Sequence, residues 1–239
     1  MATIESWKNI ASRRSTFLKY SNEGHHLSKG RLIFDLDGTI SDPSEGIWKS
    51  VNYALSAFGY GDLERDTFSQ YIGPPIDQTF RAVTGSNDET EVLALVSKFR
   101  ERYSSIGFSE NQVYPAIPDV LRTLVESGHS LGLCTGKRVD FAERILELFG
   151  LTELFDIIDG GDVGTDKSMQ LERLGRNGVD LHSSVMIGDR DSDISAGKEH
   201  NLVTVGVLWG FGSRVELEEA RPTHLAENPA ALIELSSLF

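Results

Sequence analysis

Seven side chains stand out by type and spacing: Asp35 and Asp37, Thr135, Lys167, and Asp189, Asp191 and Asp193. All but Lys167 follow short apolar runs. Leu32-Ile33-Phe34 runs into Asp35-Leu36-Asp37-Gly38-Thr39, Leu131-Gly132-Leu133-Cys134 into Thr135-Gly136, and Val185-Met186-Ile187 into Gly188-Asp189. Lys167 is the only lysine between residues 145 and 197. Several carboxylates gathered in one place repel one another, and they stay ionised together only around a cation. A donor set made of oxygen alone favours Mg²⁺, which keeps waters and shares phosphate oxygens with a substrate. A lysine and a threonine hydroxyl beside such an ion suit a phosphoryl group. Aspartate can also accept a phosphoryl group covalently.

These groups are far apart in sequence, so the fold must bring them together. Short continuous apolar runs read as buried parallel strands. Val203 to Leu208 is a fourth such run, and Phe155 to Ile158 a weaker fifth. Helical patterns lie between them. Pro118-Asp119 opens one that stops before Gly128. Phe141, Ile145 and Leu148 line one face of another over 138–149. Alternating strands and helices predict right-handed crossovers and an α/β, doubly wound parallel sheet. The chain between the first two strands is too long for one crossover. It reads as helices over 44–58, 77–84 and 88–104, punctuated by Gly59, Gly61, Gly73, Pro74 and Pro75. The expected organisation is an extension over 1–30, a core over 31–41 and 116–239, and an inserted all-helical cap over 42–115. Ligands of open α/β sheets bind at the carboxyl ends of the strands. An insertion leaving that edge is placed to cover the site.

The chain has 239 residues, of which 39% are hydrophobic and 25% charged, in the ordinary globular range. The net charge of −13 argues against a nucleic-acid surface. It also means that an anionic substrate must be met locally, by a metal or a few placed cations. The first 30 residues are the exception, with five basic side chains against two acidic ones. They contain no continuous apolar core of the secretory kind. No run approaches the ~20 apolar residues of a membrane span. A single cysteine, Cys134, excludes an intrachain disulfide, and the cytoplasm is the expected compartment. No membrane partner is expected, and the oligomeric state, monomer or homodimer, is open.

Phe34-Asp35-Leu36-Asp37-Gly38-Thr39-Ile40 resembles the first motif of the haloacid dehalogenase superfamily of phosphohydrolases. Leu133-Cys134-Thr135-Gly136-Lys137 resembles the second motif, Lys167 the third, and Ile187-Gly188-Asp189-Arg190-Asp191-Ser192-Asp193 the fourth. All four occur in order, with a helical insertion directly after the first. The resemblance covers residues 31–239 and is nearest the phosphoglycolate-phosphatase-like group and its branch similar to 5′-nucleotidases. That narrower likeness rests on Ser41 to Ile47, Tyr71 to Pro75, Glu110-Asn111 and Leu208 to Ser213. The resemblance implies a Mg²⁺-dependent phosphomonoesterase acting on a small phosphorylated metabolite. It implies Asp35 as nucleophile and metal ligand, and Asp37 as acid–base and, through its main-chain carbonyl, a further ligand. Asp189 would complete the metal site, with Asp193 acting through water or Lys167. Thr135, Gly136 and Lys167 would hold the transferring oxygens. Two departures stand out. Gly164-Thr165 is followed directly by Asp166-Lys167, so an acid stands where it could pair with the lysine or redirect it. Position 136 is glycine where serine or asparagine is common.

Other readings carry less. Asp189-Asp191-Asp193 begins like a calcium loop, but Ile194 and His200 occupy the positions of its glycine and glutamate. Asp191 is expected to be a solvated helix-start residue, Cys134 a buried strand residue, and Lys137 a cation on the rim of the site. Thr135 could also cap the helix after it. Tyr71 and Arg81 are candidates for specificity. A phosphomutase would use the same aspartyl phosphate. A phospho-acceptor signalling domain clusters similar residues, but it is shorter and lacks a helical insertion. A catalytically idle phosphate-binding protein is a further alternative. Phosphoglycolate and nucleoside monophosphates both stay open as substrates.

Overall fold

The computed structural model describes residues 30–239. The expected amino-terminal extension, apart from Gly30, lies outside the described residues. β1 (Arg31–Phe34) is the centre of the main sheet. It pairs in parallel with β4 (Ser130–Thr135) on one side and with β6 (Val185–Gly188) on the other. β5 (Phe155–Gly160) extends the β4 side, and β7 (Val203–Val207) and β8 (His224–Ala226) extend the β6 side, again in parallel. Among the described residues the sheet therefore has six strands in the order β5-β4-β1-β6-β7-β8. The chain runs outward from β1 in one direction and then crosses to run outward in the other. β1 is thus the switch point, where the loops diverge and leave a crevice.

Leu32, Ile33 and Phe34 are fully buried because both faces of β1 are covered. Successive strand side chains point to opposite faces. Leu32 and Phe34 pack with Leu121 and Leu124 of α4 (Ile117–Glu126) and Ile145 and Leu146 of α5 (Val139–Leu148). Ile33 and Cys134 pack on the other face with Leu171 and Leu174 of α6 (Lys167–Arg176) and Ala196 of α7 (Asp191–Glu199). α8 (Arg214–Ala220) and α9 (Ala231–Ser236) complete the elements at the carboxyl end.

Between β1 and β4 lie α1 (Ser44–Ala57), a 3₁₀ turn over Arg65–Tyr71, α2 (Ile76–Thr84) and α3 (Glu89–Ser105). These bounds fall within a residue or so of the helices read from sequence. Val51, Leu55, Phe80, Leu95, Phe99 and Tyr103 give the insertion its own apolar core, joined by Phe141 of α5. The Asp88 carboxylate caps α3 by accepting the Thr90 amide at 2.9 Å. The chain leaves and returns through a two-stranded antiparallel pair, β2 (Ser41–Asp42) with β3 (Gln112–Val113), which the sequence reading did not anticipate. Two-residue strands carry no periodicity to read. No helix among the described residues is long and apolar enough to cross a membrane.

Candidate active site

The carboxyl ends of β1, β4 and β6 lie side by side, so the loops that follow them meet. The Asp35 amide donates to the Ile187 carbonyl at 2.9 Å, which carries the β1–β6 ladder up to the site itself. Carboxylate oxygens of Asp35, Asp189 and Asp193 all lie within 4.8 Å of one another, and all three residues are buried. Lys167, the first residue of α6, reaches them: its Nζ is 3.1 Å from Asp35 Oδ1 and also pairs with Asp193 Oδ1. Residues separated by as many as 158 positions are thereby brought to one point.

The surroundings fix each group. Asp189 accepts the Phe211 amide at 2.8 Å and the Thr39 hydroxyl at 3.3 Å. Burial pushes the Asp189 carboxyl up to about 8, and the negative charges of Asp193 and Asp35 add to that. Asp193 accepts the Arg190 amide at 3.0 Å, and burial raises its pKa while Lys167 opposes the shift. Burial alone would discharge Lys167, but the carboxylates of Asp193 and Asp35 outweigh it and keep the ammonium. Gly38 sits at φ +84°, and a Cβ there would come within 2.1 Å of Asp189 Oδ2. Only glycine allows this approach.

Asp37 lies on the other side of the same loop and has a different partner. Its Oδ2 is 2.8 Å from Lys137 Nζ, and both side chains are nearly buried. Lys137 in turn donates to the Tyr103 hydroxyl of α3 at 3.0 Å and lies 4.9 Å from the centre of that ring. The expected rim cation is therefore corrected to a buried one. A lysine in a polar loop reads as exposed, and here Asp37 and an aromatic side chain from the insertion enclose it. Burial works against its charge, but the Asp37 carboxylate holds its pKa above the ordinary lysine value. Burial raises the pKa of Asp37, and Lys137 tempers the rise.

Two other expectations are revised. Asp166 neither pairs with Lys167 nor redirects it. Its carboxylate accepts the Met169 amide at 2.8 Å and caps α6, which aims Lys167 inward. Thr135 does not cap α5, which starts at Val139. Its buried hydroxyl accepts the Lys137 amide at 3.3 Å, while its carbonyl accepts the Gly161 amide and the Gln170 side chain. Gly136 is exposed beside it, and a Cβ there would meet only the Gly73 carbonyl at 3.6 Å, so close packing does not demand a glycine. Asp191 is exposed at the start of α7, and Cys134 is buried with its thiol pushed up to about 12 by that burial. Tyr71 lines a cavity beside Asp37, whereas Arg81 pairs with Glu89 within the insertion. Sequence reasoning missed Tyr103 and the Phe211 amide. The Gly206 to Gly212 segment, which reads as a loop near the edge of the site, was the signal for the latter.

The donor set fits a hard divalent cation. Three carboxylates converge, Lys167 pairs with two of them, and burial drives Asp189 toward its protonated form unless positive charge is added nearby. Asp35, Asp189 and Asp193 are the side chains that meet there, with Asp37 set aside on Lys137.

The model of the haloacid dehalogenase-like hydrolase family matches residues 32–207. The chain belongs to the haloacid dehalogenase-like hydrolase family. It is 34% identical to a 5′-nucleotidase of Pseudomonas aeruginosa, over 92% of this chain and 96% of that one. It is 32% identical to the tyrosine-protein kinase PtkA of Mycobacterium tuberculosis, over 85% of this chain and 70% of that one. It is 30% identical to a phosphoglycolate phosphatase of Aquifex aeolicus, over 85% and 95%. A crystal structure of a predicted phosphatase from Clostridium acetobutylicum superposes with a TM-score of 0.83 at 30% identity, covering 89% of this chain and all of that one. The family explains why the four separated motifs converge at one crevice. This member is a phosphatase-type hydrolase.

Proposed function

We propose that the protein is a Mg²⁺-dependent phosphomonoesterase that works through an aspartyl phosphate on Asp35. The observation that carries this reading is the different pairing of two aspartates on one loop: Asp35 on Lys167 among the clustered carboxylates, Asp37 on Lys137 beside a cavity. Two carboxyl groups in different surroundings can take different parts in acid–base chemistry. An Asp35 oxygen attacks phosphorus in line, and the bond from phosphorus to the leaving oxygen breaks. Asp37, whose burial favours the protonated form, donates its proton to that oxygen. Asp37 then takes a proton from the water that attacks the aspartyl phosphate, which releases phosphate and restores Asp35. Lys167 holds a transferring oxygen and keeps Asp35 in place; Thr135, Gly136 and the neighbouring amides complete the cradle. Mg²⁺, held by Asp35, Asp189 and the Asp37 carbonyl with Asp193 behind them, would neutralise the carboxylates and polarise the phosphoryl oxygens.

Residues 42–115 act as a cap over this crevice, opening for exchange and closing to exclude water. Polar contacts support this, beside the apolar one made by Phe141. Arg190 donates to the Ile72 carbonyl at 2.5 Å, and Lys137 to Tyr103. The substrate is a small phosphorylated metabolite, with phosphoglycolate and nucleoside monophosphates as the two classes suggested by the relatives. The protein works in the cytoplasm.

Phosphate release from p-nitrophenyl phosphate at near-neutral pH tests the reading, with Mg²⁺, with EDTA and with Asp35→Asn. Turnover that needs Mg²⁺ and disappears in the variant is expected. Turnover that survives Asp35→Asn would remove the nucleophile assignment, and turnover that survives thorough chelation would remove the metal.

A further inference from the structure

Two cavities flank the loop after β1, and they meet along a shared wall of Gly73, Pro74, Pro75 and Gly136. One is lined by Asp35 and Lys167. The other is lined by Asp37 and Lys137 and opens to solvent. If Asp37 serves the leaving oxygen, the leaving group must lie on its side of that wall. The phosphoryl group then occupies the first cavity and the rest of the substrate the second. The chemistry of the second cavity therefore selects the substrate.

That cavity has aromatic and apolar walls. Tyr71, Phe99, Tyr103 and Phe141 all contribute. Phe99 stacks on Tyr103 with ring centres 5.1 Å apart, and Tyr103 meets Phe141 edge to face, also at 5.1 Å. A ring entering from the mouth would extend an array already built. Each cation of the lining is matched. Lys137 pairs with Asp37 at 2.8 Å, Arg100 with Asp162 at 2.6 Å, and Arg138 with Asp140 at 3.0 Å. A carboxylate on the leaving group would therefore meet cations whose charge is already matched. Acceptors, by contrast, are in surplus. Asp77 lines the same cavity, and its Oδ1 is buried with no hydrogen-bond partner. A buried carboxylate oxygen of this kind calls for a donor.

We infer that the cavity beside Asp37 receives an uncharged leaving group that carries an aromatic ring and a hydrogen-bond donor, with Tyr71 and Asp77 as its specificity residues. This rests on the phosphomonoesterase reading, in which Asp37 protonates the leaving oxygen. It selects between the two substrate classes above: a nucleoside monophosphate fits, and phosphoglycolate, with its second anion, does not.

The test compares four esters that all leave as alkoxides: uridine 5′-monophosphate, benzyl phosphate, phosphoglycolate and glycerol 3-phosphate. Intrinsic leaving-group reactivity is then similar, and the differences report the cavity. Full-length protein is assayed for kcat/KM with Mg²⁺, and Asp35→Asn protein is titrated with each ester by calorimetry. Uridine 5′-monophosphate is expected to exceed both aliphatic esters by tenfold or more in each measurement. Benzyl phosphate falls between, since it has the ring without the donor. Tyr71→Ala is expected to shrink the aromatic preference about tenfold, and Asp77→Ala to raise the KM of uridine 5′-monophosphate more than that of benzyl phosphate. Phosphoglycolate equal to or better than the aromatic esters would overturn the inference and leave the phosphatase standing. The absence of release from every ester, with aromatic binding preference intact, would sink the phosphatase reading and leave the ligand class. A preference unmoved by either substitution would overturn the assignment of Tyr71 and Asp77.

Discussion

Lys137 Nζ lies 2.8 Å from Asp37 Oδ2, with 7% and 12% of the two side chains exposed. The aspartate after the central strand thus has its own cation, separate from the one on Asp35. A buried pair of this kind is costly to break because the survivor is left charged and desolvated. Lys137→Met is expected to destabilise the fold by about 3 kcal/mol, less if Asp37 takes up a proton. With the opposing charge gone, the pKa of Asp37 rises further, so the loss of activity as its proton leaves moves to higher pH. Chemical denaturation and a pH–rate profile measure the two effects. A variant with wild-type stability and profile would mean that the pair is not formed in solution.

Gly38 should tolerate no side chain. Its φ of +84° and the 2.1 Å approach of a Cβ to Asp189 Oδ2 act together. Gly38→Ala is expected to cost about 1–2 kcal/mol in backbone strain and to displace Asp189. Mg²⁺-dependent turnover should fall at least a hundredfold, with a weaker apparent affinity for the metal. A steady-state titration with Mg²⁺ reads both, and full activity would show that the loop has room that the geometry denies it.

Asp189 makes the stability of metal-free protein depend on pH. Its carboxyl is pushed up to about 8 from an ordinary 3.8. Between those values the folded chain keeps a proton that the unfolded chain has released. Stability therefore falls as pH rises through that window, and levels off above it, by an amount on the order of a few kcal/mol. Saturating Mg²⁺ should flatten the fall by supplying positive charge in place of the proton. Thermal melts at pH 5 and pH 8, with Mg²⁺ and with EDTA, test this. A metal-free Tm that does not drop between the two would contradict the burial of the cluster.

Asp166 acts on Lys167 through the helix that it caps. Asp166→Ala removes the bond to the Met169 amide and should cost about 1 kcal/mol. Fraying of the first turn loosens Lys167, so kcat should fall several-fold. Asp166→Asn, which also caps well, should restore most of both. Equal defects in the two variants would indicate a role for the charge itself.

Much of this arrangement was legible in the chain before any coordinates. Short apolar runs ending in polar residues mark buried strands, and their order forces a parallel sheet. Asp35, Asp37, Thr135 and Asp189 therefore had to lie at one edge. The helices of the insertion announced themselves through their punctuation by glycine and proline, and their bounds agree closely. The two-residue strands β2 and β3 and the short carboxyl-terminal elements α8, β8 and α9 left no such trace. Periodicity needs length to be visible.

Residue types and local order were enough to pick out the groups that gather at the candidate site, because those depend on what each side chain can donate or accept. Pairing was not, because it depends on distances between segments remote in sequence. Lys137 looked like a surface cation until Asp37 and Tyr103 closed around it. Asp166 looked like a rival for Lys167 until the turn of α6 drew its carboxylate to a backbone amide instead. Asp77 was not singled out in the chain, and only the cavity shows one of its oxygens buried and unpartnered. Burial removes water as the default partner, and only packing in three dimensions determines what takes its place.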